Sequence, residues 1–174
     1  VPPDLVVSAH SFEHLNDSRG PLEALVRFAA PESLFVIEVP GFDSLLRASR
    51  FDQVFHQHIH YFSVASFRRL IERVGGRYLT HTFNYEYWNG TLLMAFCKGG
   101  SSDEKKYSES SEVPGADLIR RRYREFEERM GRVSEFLGNL EKPIYGYGAA
   151  QMLPTLAYHL KSDLNFLESI LDDD

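Results

Sequence analysis

Two short apolar runs separated by a helical pattern constrain this chain more than any other feature. Asp4-Leu5-Val6-Val7-Ser8-Ala9 and Ser33-Leu34-Phe35-Val36-Ile37-Glu38-Val39-Pro40 read as continuous apolar strands of the buried type. Between them Pro21 opens and Pro31 closes a segment from Gly20 to Ala30, in which Leu22, Leu25, Val26 and Ala29 recur at helical spacing. A strand, a helix and a second strand joined by a crossover of this length make a βαβ unit with parallel strands and a right-handed connection. The fold class is therefore α/β. Because Val1-Pro2-Pro3 leads straight into an interior strand, the chain is expected to be a central to C-terminal fragment of a longer protein.

The rest of the first half closes that sheet. Val64, Phe67, Leu70, Ile71 and Val74 mark a helix with Ser63 as its N-cap and Gly75-Gly76 as its stop. Tyr78 to Tyr87 and Thr91 to Cys97 follow as two strands meeting at Trp88-Asn89-Gly90, where Asn-Gly signals a hairpin. A parallel sheet ending in an antiparallel pair is expected over residues 1–98.

Residues 99–115 are rich in glycine, serine and charge and nearly free of apolar side chains, so they form a linker. Residues 116–174 form a second region. Ile119, Tyr123, Phe126, Met130, Val133 and Leu137 step by four and three along a long charged helix, a stripe expected to dock on the chain's own domains, with an intermolecular coiled coil as the alternative. Then Lys142-Pro143-Ile144-Tyr145 enters Gly146-Tyr147-Gly148-Ala149-Ala150, a helix runs toward Leu160, and Leu167 to Leu171 is a short strand. This reads as the start of a second α/β domain.

Charge and cysteine content remove several function classes. With a formal charge of −6 the chain has no overall attraction to nucleic acid or to anionic lipid. The single cysteine, Cys97, cannot close an internal bridge, and no apolar run reaches the ~20 residues of a membrane span. The expected setting is the cytoplasm, with no nucleic-acid or membrane partner; nothing in the pattern sets an oligomeric state.

Ligands of parallel α/β sheets lie beyond the carboxyl ends of the strands, which singles out Ser8, Ala9, His10 and His14. The small residues let a ligand approach the backbone, and Glu13-His14 can fix the turn; a purely structural role for His14 fits equally. In Phe55-His56-Gln57-His58-Ile59-His60-Tyr61-Phe62, three of seven histidines alternate and in extended chain would face one side. Three roles are open to them: metal ligands, a general base walled by Phe55, Tyr61 and Phe62, or a structural set bonded to backbone groups. The reading assigns no metal to this chain. Gly146 and Gly148 follow a strand and precede a helix, as in a phosphate-cradling turn, but Gln151 stands where a third glycine belongs.

The segment Asp4 to His14 resembles the fourth-strand motif of class I S-adenosylmethionine-dependent methyltransferases. Ile37 to Pro40, Phe55 to Ser63, Asn89 to Leu92 and Tyr145 to Ala150 occur in the order found in the sugar C-methyltransferases of that class. The resemblance implies the second half of a methyltransferase sheet followed by part of a Rossmann-like domain, with a structural zinc in an N-terminal module absent here. It also implies methylation of a carbon beside the ketone of a nucleotide-linked deoxysugar. Ser8, Ala9, His10 and His14 would border the methionine part of S-adenosylmethionine. His58 would be the base, with Gln57 and Tyr61 beside it, and His56, Tyr87, Asn89, Gly146 and Gly148 would contact the substrate. Phe55, Gln57 and Met152 depart from the family's tyrosine, glutamate and lysine. The alternatives are an O-methyltransferase acting on a small molecule and a non-catalytic sugar-nucleotide-binding or scaffolding protein.

Overall fold

The computed structural model describes residues 1–86, 89–99, 113–150 and 152–173. The chain divides into two compact units: Val1–Ala48 with His56–Gly115, and Ser49–Phe55 with Ala116–Asp174. The short stretch Ser49–Phe55 thus groups with the later residues.

In the first unit, β1 (Leu5–Ala9), α1 (Arg19–Phe28) and β2 (Leu34–Pro40) form the expected parallel βαβ, with Leu5 opposite Leu34 and Ala9 opposite Glu38. Then come α2 (Phe42–Ala48), α3 (Val64–Arg73), β3 (Gly76–Asn84) and β4 (Thr91–Lys98). The strand order is β1-β2-β4-β3, with β4 antiparallel to both neighbours. The hairpin therefore forms, and its second strand is the one that enters beside β2. The sequence pattern carries no sign of α2, whose seven residues are too few to establish a helical period.

Both apolar runs are strands, but neither is buried on both faces. Along β2, Phe35, Ile37 and Val39 are fully buried while Val36 and Glu38 are half-buried and Leu34 is exposed. The cause is one-sided cover: Leu22 and Val26 of α1 and Phe67 and Ile71 of α3 join Phe35, Ile37, Val39, Leu92, Met94 and Phe96 in one core. Each of these large side chains contributes about 1.5–3 kcal/mol on burial. Among the described residues β1 pairs only with β2, which leaves Leu5 and Val7 exposed at 55% and 66%. The expected cap of α3 is present as a reciprocal pair: Ser63 Oγ accepts from the Ser66 amide at 3.1 Å and Ser66 Oγ from the Ser63 amide at 2.9 Å.

The second unit contains α4 (Ala116–Gly138) and a small βαβ of β5 (Tyr145–Tyr147), α5 (Leu153–Leu160) and β6 (Ser169–Leu171), its two strands parallel. Of the α4 stripe only Phe126 is fully buried, and Val133 is exposed. Phe126 meets the Phe51 ring at 5.9 Å and the edge of His159 at 4.8 Å, while Phe51 also meets Tyr123 edge-on at 5.2 Å. The 3-10 turn Phe51–Gln53 is braced by a two-pronged bond from Arg50 to Asp52, at 2.7 and 2.6 Å.

Candidate functional site

Beyond the carboxyl end of β1 the chain reverses sharply. The His10 amide donates to the Glu38 carbonyl at 3.0 Å, extending the β1–β2 ladder by one residue, and His10 then adopts a φ of 49°. A 3-10 turn, Phe12–His14, follows. Phe12 drops into the core and takes Glu13 down with it: this carboxyl side chain is only 1% exposed. Its Oε1 lies 3.2 Å from His10 Nδ1 and 3.7 Å from His14 Nε2, whereas Oε2 is buried with no hydrogen-bond partner.

The histidine segment closes onto this turn. The amides of Ile59 and His60 both donate to the Glu13 carbonyl, at 2.8 and 3.1 Å. His14 Nδ1 lies 2.8 Å from the Gln57 carbonyl, and since a carbonyl only accepts, Nδ1 carries the proton. The His14 and His58 rings are 5.0 Å apart, and Tyr61 meets His58 edge-on at 6.3 Å.

This geometry corrects the expectation of three imidazoles facing one side. One carbonyl capturing two consecutive amides bends the segment, so the strand alternation that would align them does not form. His56 and Gln57 occupy an exposed turn. His58 joins His14 and Glu13. His60 lies against Phe62 at 5.7 Å, and its Nε2 is buried without a partner. The contribution of Gln57 to the site is thus its main-chain oxygen, which fixes the tautomer of His14.

Glu38 completes this end of the sheet. It stands on the half-buried face of β2, accepts the Thr91 hydroxyl at 2.7 Å, and lies 3.8 Å from His10 Nε2. Ser8 is half-buried, and Ala9, His10 and His14 are exposed along the rim. Asn89, exposed with a φ of 61°, precedes Gly90, whose carbonyl accepts the Ser44 hydroxyl at 2.6 Å and the Gly41 amide at 3.2 Å. Tyr87 lies outside the described residues. Glu13 and Glu38 are the residues that the site assignment from sequence missed. For Glu38 the signal was present, as the one charge within an otherwise apolar run.

Gly146 and Gly148 belong to the second unit. A Cβ on Gly146 would lie 3.2 Å from Ile170 and 3.3 Å from Leu167, so close strand packing accounts for that glycine. Gly148 has a φ of +90° and open space around it. The Gly148 amide donates to the Leu171 carbonyl at 2.7 Å and the Ala149 amide to the Asp172 carboxylate. Tyr147 donates to Asp173 at 2.7 Å, a bond that raises the phenol pKa. Two of the amides that a phosphate-binding turn would present, those of Gly148 and Ala149, are therefore engaged by residues at the end of β6.

Residues 2–81 match a family model described as a methyltransferase domain. The C-methyltransferase NovU of Streptomyces niveus is 30% identical over 158 residues, covering 83% of this chain and 37% of its own length. This chain thus spans little more than a third of that curated relative. Among solved structures, one similar chain comes from a complex of the Haloferax volcanii Trm112 methyltransferase activator with a methyltransferase. It has a TM-score of 0.47 and 16% identity, over 57% of this chain and 55% of that one. Another is the magnesium protoporphyrin IX methyltransferase ChlM of Synechocystis with bound S-adenosylhomocysteine: TM-score 0.44 and 10% identity, over 56% and 46% of the two chains. No helix among the described residues is long and apolar enough to cross a membrane. Residues 2–81 are thus similar to a methyltransferase domain, and the curated relative is a C-methyltransferase.

Proposed function

We propose that this chain carries the proton-removing part of an S-adenosylmethionine-dependent C-methyltransferase acting on a nucleotide-linked keto-deoxysugar. In this reading residues 1–98 are the second half of the methyltransferase sheet, and β5–α5–β6 begins a Rossmann-like domain. The observation that carries the proposal is the joining of two distant segments at the ligand end of β1, through Glu13, His14 and Gln57, beside His58. The C-methyltransferase relative supports it.

The residues fit one side of the methyl donor. Ala9 is exposed at the strand end, and the carboxylates of Glu13 and Glu38 flank His10, a setting that favours a ligand bearing ammonium and sulfonium charge. S-adenosylmethionine, when bound, supplies an electrophilic methyl group. The chain's own task is to make the acceptor carbon nucleophilic. A hydrogen beside a ketone is acidic only because the charge delocalises onto oxygen, so a positioned base is required. His58 would take that proton and become imidazolium, and the carbon, now holding the electron pair, would bond to the methyl carbon as the methyl–sulfur bond breaks and its electron pair stays on sulfur, leaving a neutral thioether. The proton then passes to solvent. Tyr61 borders the reacting end, and His56, Tyr87 and Asn89 are assigned to the sugar.

Exchange of the acidic hydrogen with deuterated water, in the presence of S-adenosylhomocysteine, tests the base alone. In the intact gene product His58→Ala should abolish exchange while sugar-nucleotide affinity stays within several-fold, because a base acts on the transition state more than on binding. Undiminished exchange removes His58 from the mechanism.

A further inference from the structure

We infer that Glu13, His14 and His58 form a site for one divalent transition-metal ion. One ligand atom from each of the three lies within 4.8 Å of the other two. Zinc with ligands at ~2.0–2.2 Å needs ligand atoms roughly 3.4 Å apart, so binding draws the three side chains together from within 4.8 Å. The independent observation is Glu13 Oε2: a carboxylate oxygen buried in a side chain 1% exposed, with no hydrogen-bond partner. A desolvated acceptor left unmatched is costly, and a cation is the group that best satisfies it.

His14 is prepared in the same sense. Its Nδ1 proton is committed to the main-chain carbonyl of Gln57, the outer hydrogen bond typical of a metal-bound imidazole. That leaves a lone pair on Nε2, 3.7 Å from Glu13 Oε1. Two imidazoles and one carboxylate, with the remaining positions open, suit zinc, iron, manganese or cobalt rather than magnesium or calcium. The sequence pattern pointed instead to His56, His58 and His60, with no metal assigned; Glu13 and His14 lie in a different segment.

The consequence for activity rests on the proposed function: an ion on His58 holds the electron pair that proton removal needs, so occupancy should inhibit. Binding is tested first, on the 174-residue chain after chelator treatment, by titration with Co²⁺ followed in the visible spectrum, with Zn²⁺ as competitor. The expected result is a saturable absorption at one Co²⁺ per chain, weakened at least tenfold by Glu13→Gln, His14→Ala or His58→Ala. His56→Ala and His60→Ala should stay within twofold. No saturable absorption, or equal binding by the wild type and the three ligand variants, overturns the site. Because this titration needs neither methyl donor nor sugar, its result is independent of the proposed reaction. Zn²⁺ at saturation should slow hydrogen exchange in the intact gene product at least tenfold; unchanged exchange would overturn the inhibitory role while leaving the binding result standing.

Discussion

Gly90 supports the wall of the candidate site, and replacing it tests whether the Asn89-Gly90 motif serves the fold. Gly90 adopts a φ of +128°, and a Cβ placed there would lie 2.5 Å from Ser44 Cβ, 2.6 Å from Ser44 Oγ and 3.1 Å from Tyr85 Cε1. Two costs follow for Gly90→Ala. An alanine in that region of backbone space costs about 1–3 kcal/mol. Relief of the clash must move Ser44, whose buried hydroxyl lies 2.6 Å from the Gly90 carbonyl and 2.7 Å from that of Gly41, and losing a buried bond of this kind costs roughly 1–2 kcal/mol. The expected destabilisation of the first unit is therefore about 3 kcal/mol. Native-state amide exchange of β2 and β4 against denaturant reads it without interference from the second unit. A double-mutant cycle separates the two terms: in a Ser44→Gly background the steric part disappears, so Gly90→Ala should cost about 1–2 kcal/mol less there. A loss below about 1 kcal/mol in the wild-type background, or no coupling to Ser44, would refute this account of the turn.

Two further outcomes concern the second unit. Phe126→Ala removes the one fully buried side chain of α4 and should destabilise that unit by about 3 kcal/mol, read from amide exchange along α4 and α5. Burial lowers the His159 pKa below its ordinary 6.5, with Asp52, the Phe51 carbonyl and Glu127 opposing the shift. The unfolded chain then takes up a proton before the folded one does. Stability of this unit should accordingly fall as pH drops through 6.5 and below. That slope should flatten in His159→Phe, measured between pH 5 and 7.5 (roughly the histidine titration range).

What could be read from the sequence was whatever depends on neighbours along the chain. The βαβ of β1, α1 and β2 was legible because the prolines bound a helical period between two apolar runs, and the α3 cap because Ser63 precedes that helix directly. The degree of burial was not legible. An apolar run does not say whether helices cover one face of the sheet or two, and here Val7 and Leu34 meet solvent. The site was half legible for the same reason. His14 and His58 each stood out, but their meeting depends on one carbonyl, that of Glu13, capturing the amides of Ile59 and His60. Main-chain oxygens are the same in every residue, so no residue type announces such a contact.

That same contact decides what Gln57→Glu should do. Gln57 holds His14 through its main-chain carbonyl, so the substitution leaves the 2.8 Å bond and the Nδ1 proton in place. The side chain is exposed, and the change adds a charge without a burial penalty and should leave stability within about 0.5 kcal/mol. A carboxylate one residue from His58 favours the imidazolium form, and the imidazole must be neutral to take a proton. Under the proposed reaction the acid limb of the pH–rate profile for hydrogen exchange therefore moves to higher pH. At alkaline pH, where the imidazole is neutral in both proteins, the stronger base should exchange at least as fast as the wild type. An unshifted limb with unchanged stability would mean that the group titrating in the profile is not His58, and His56 or Tyr61 would take its place as the base to be tested.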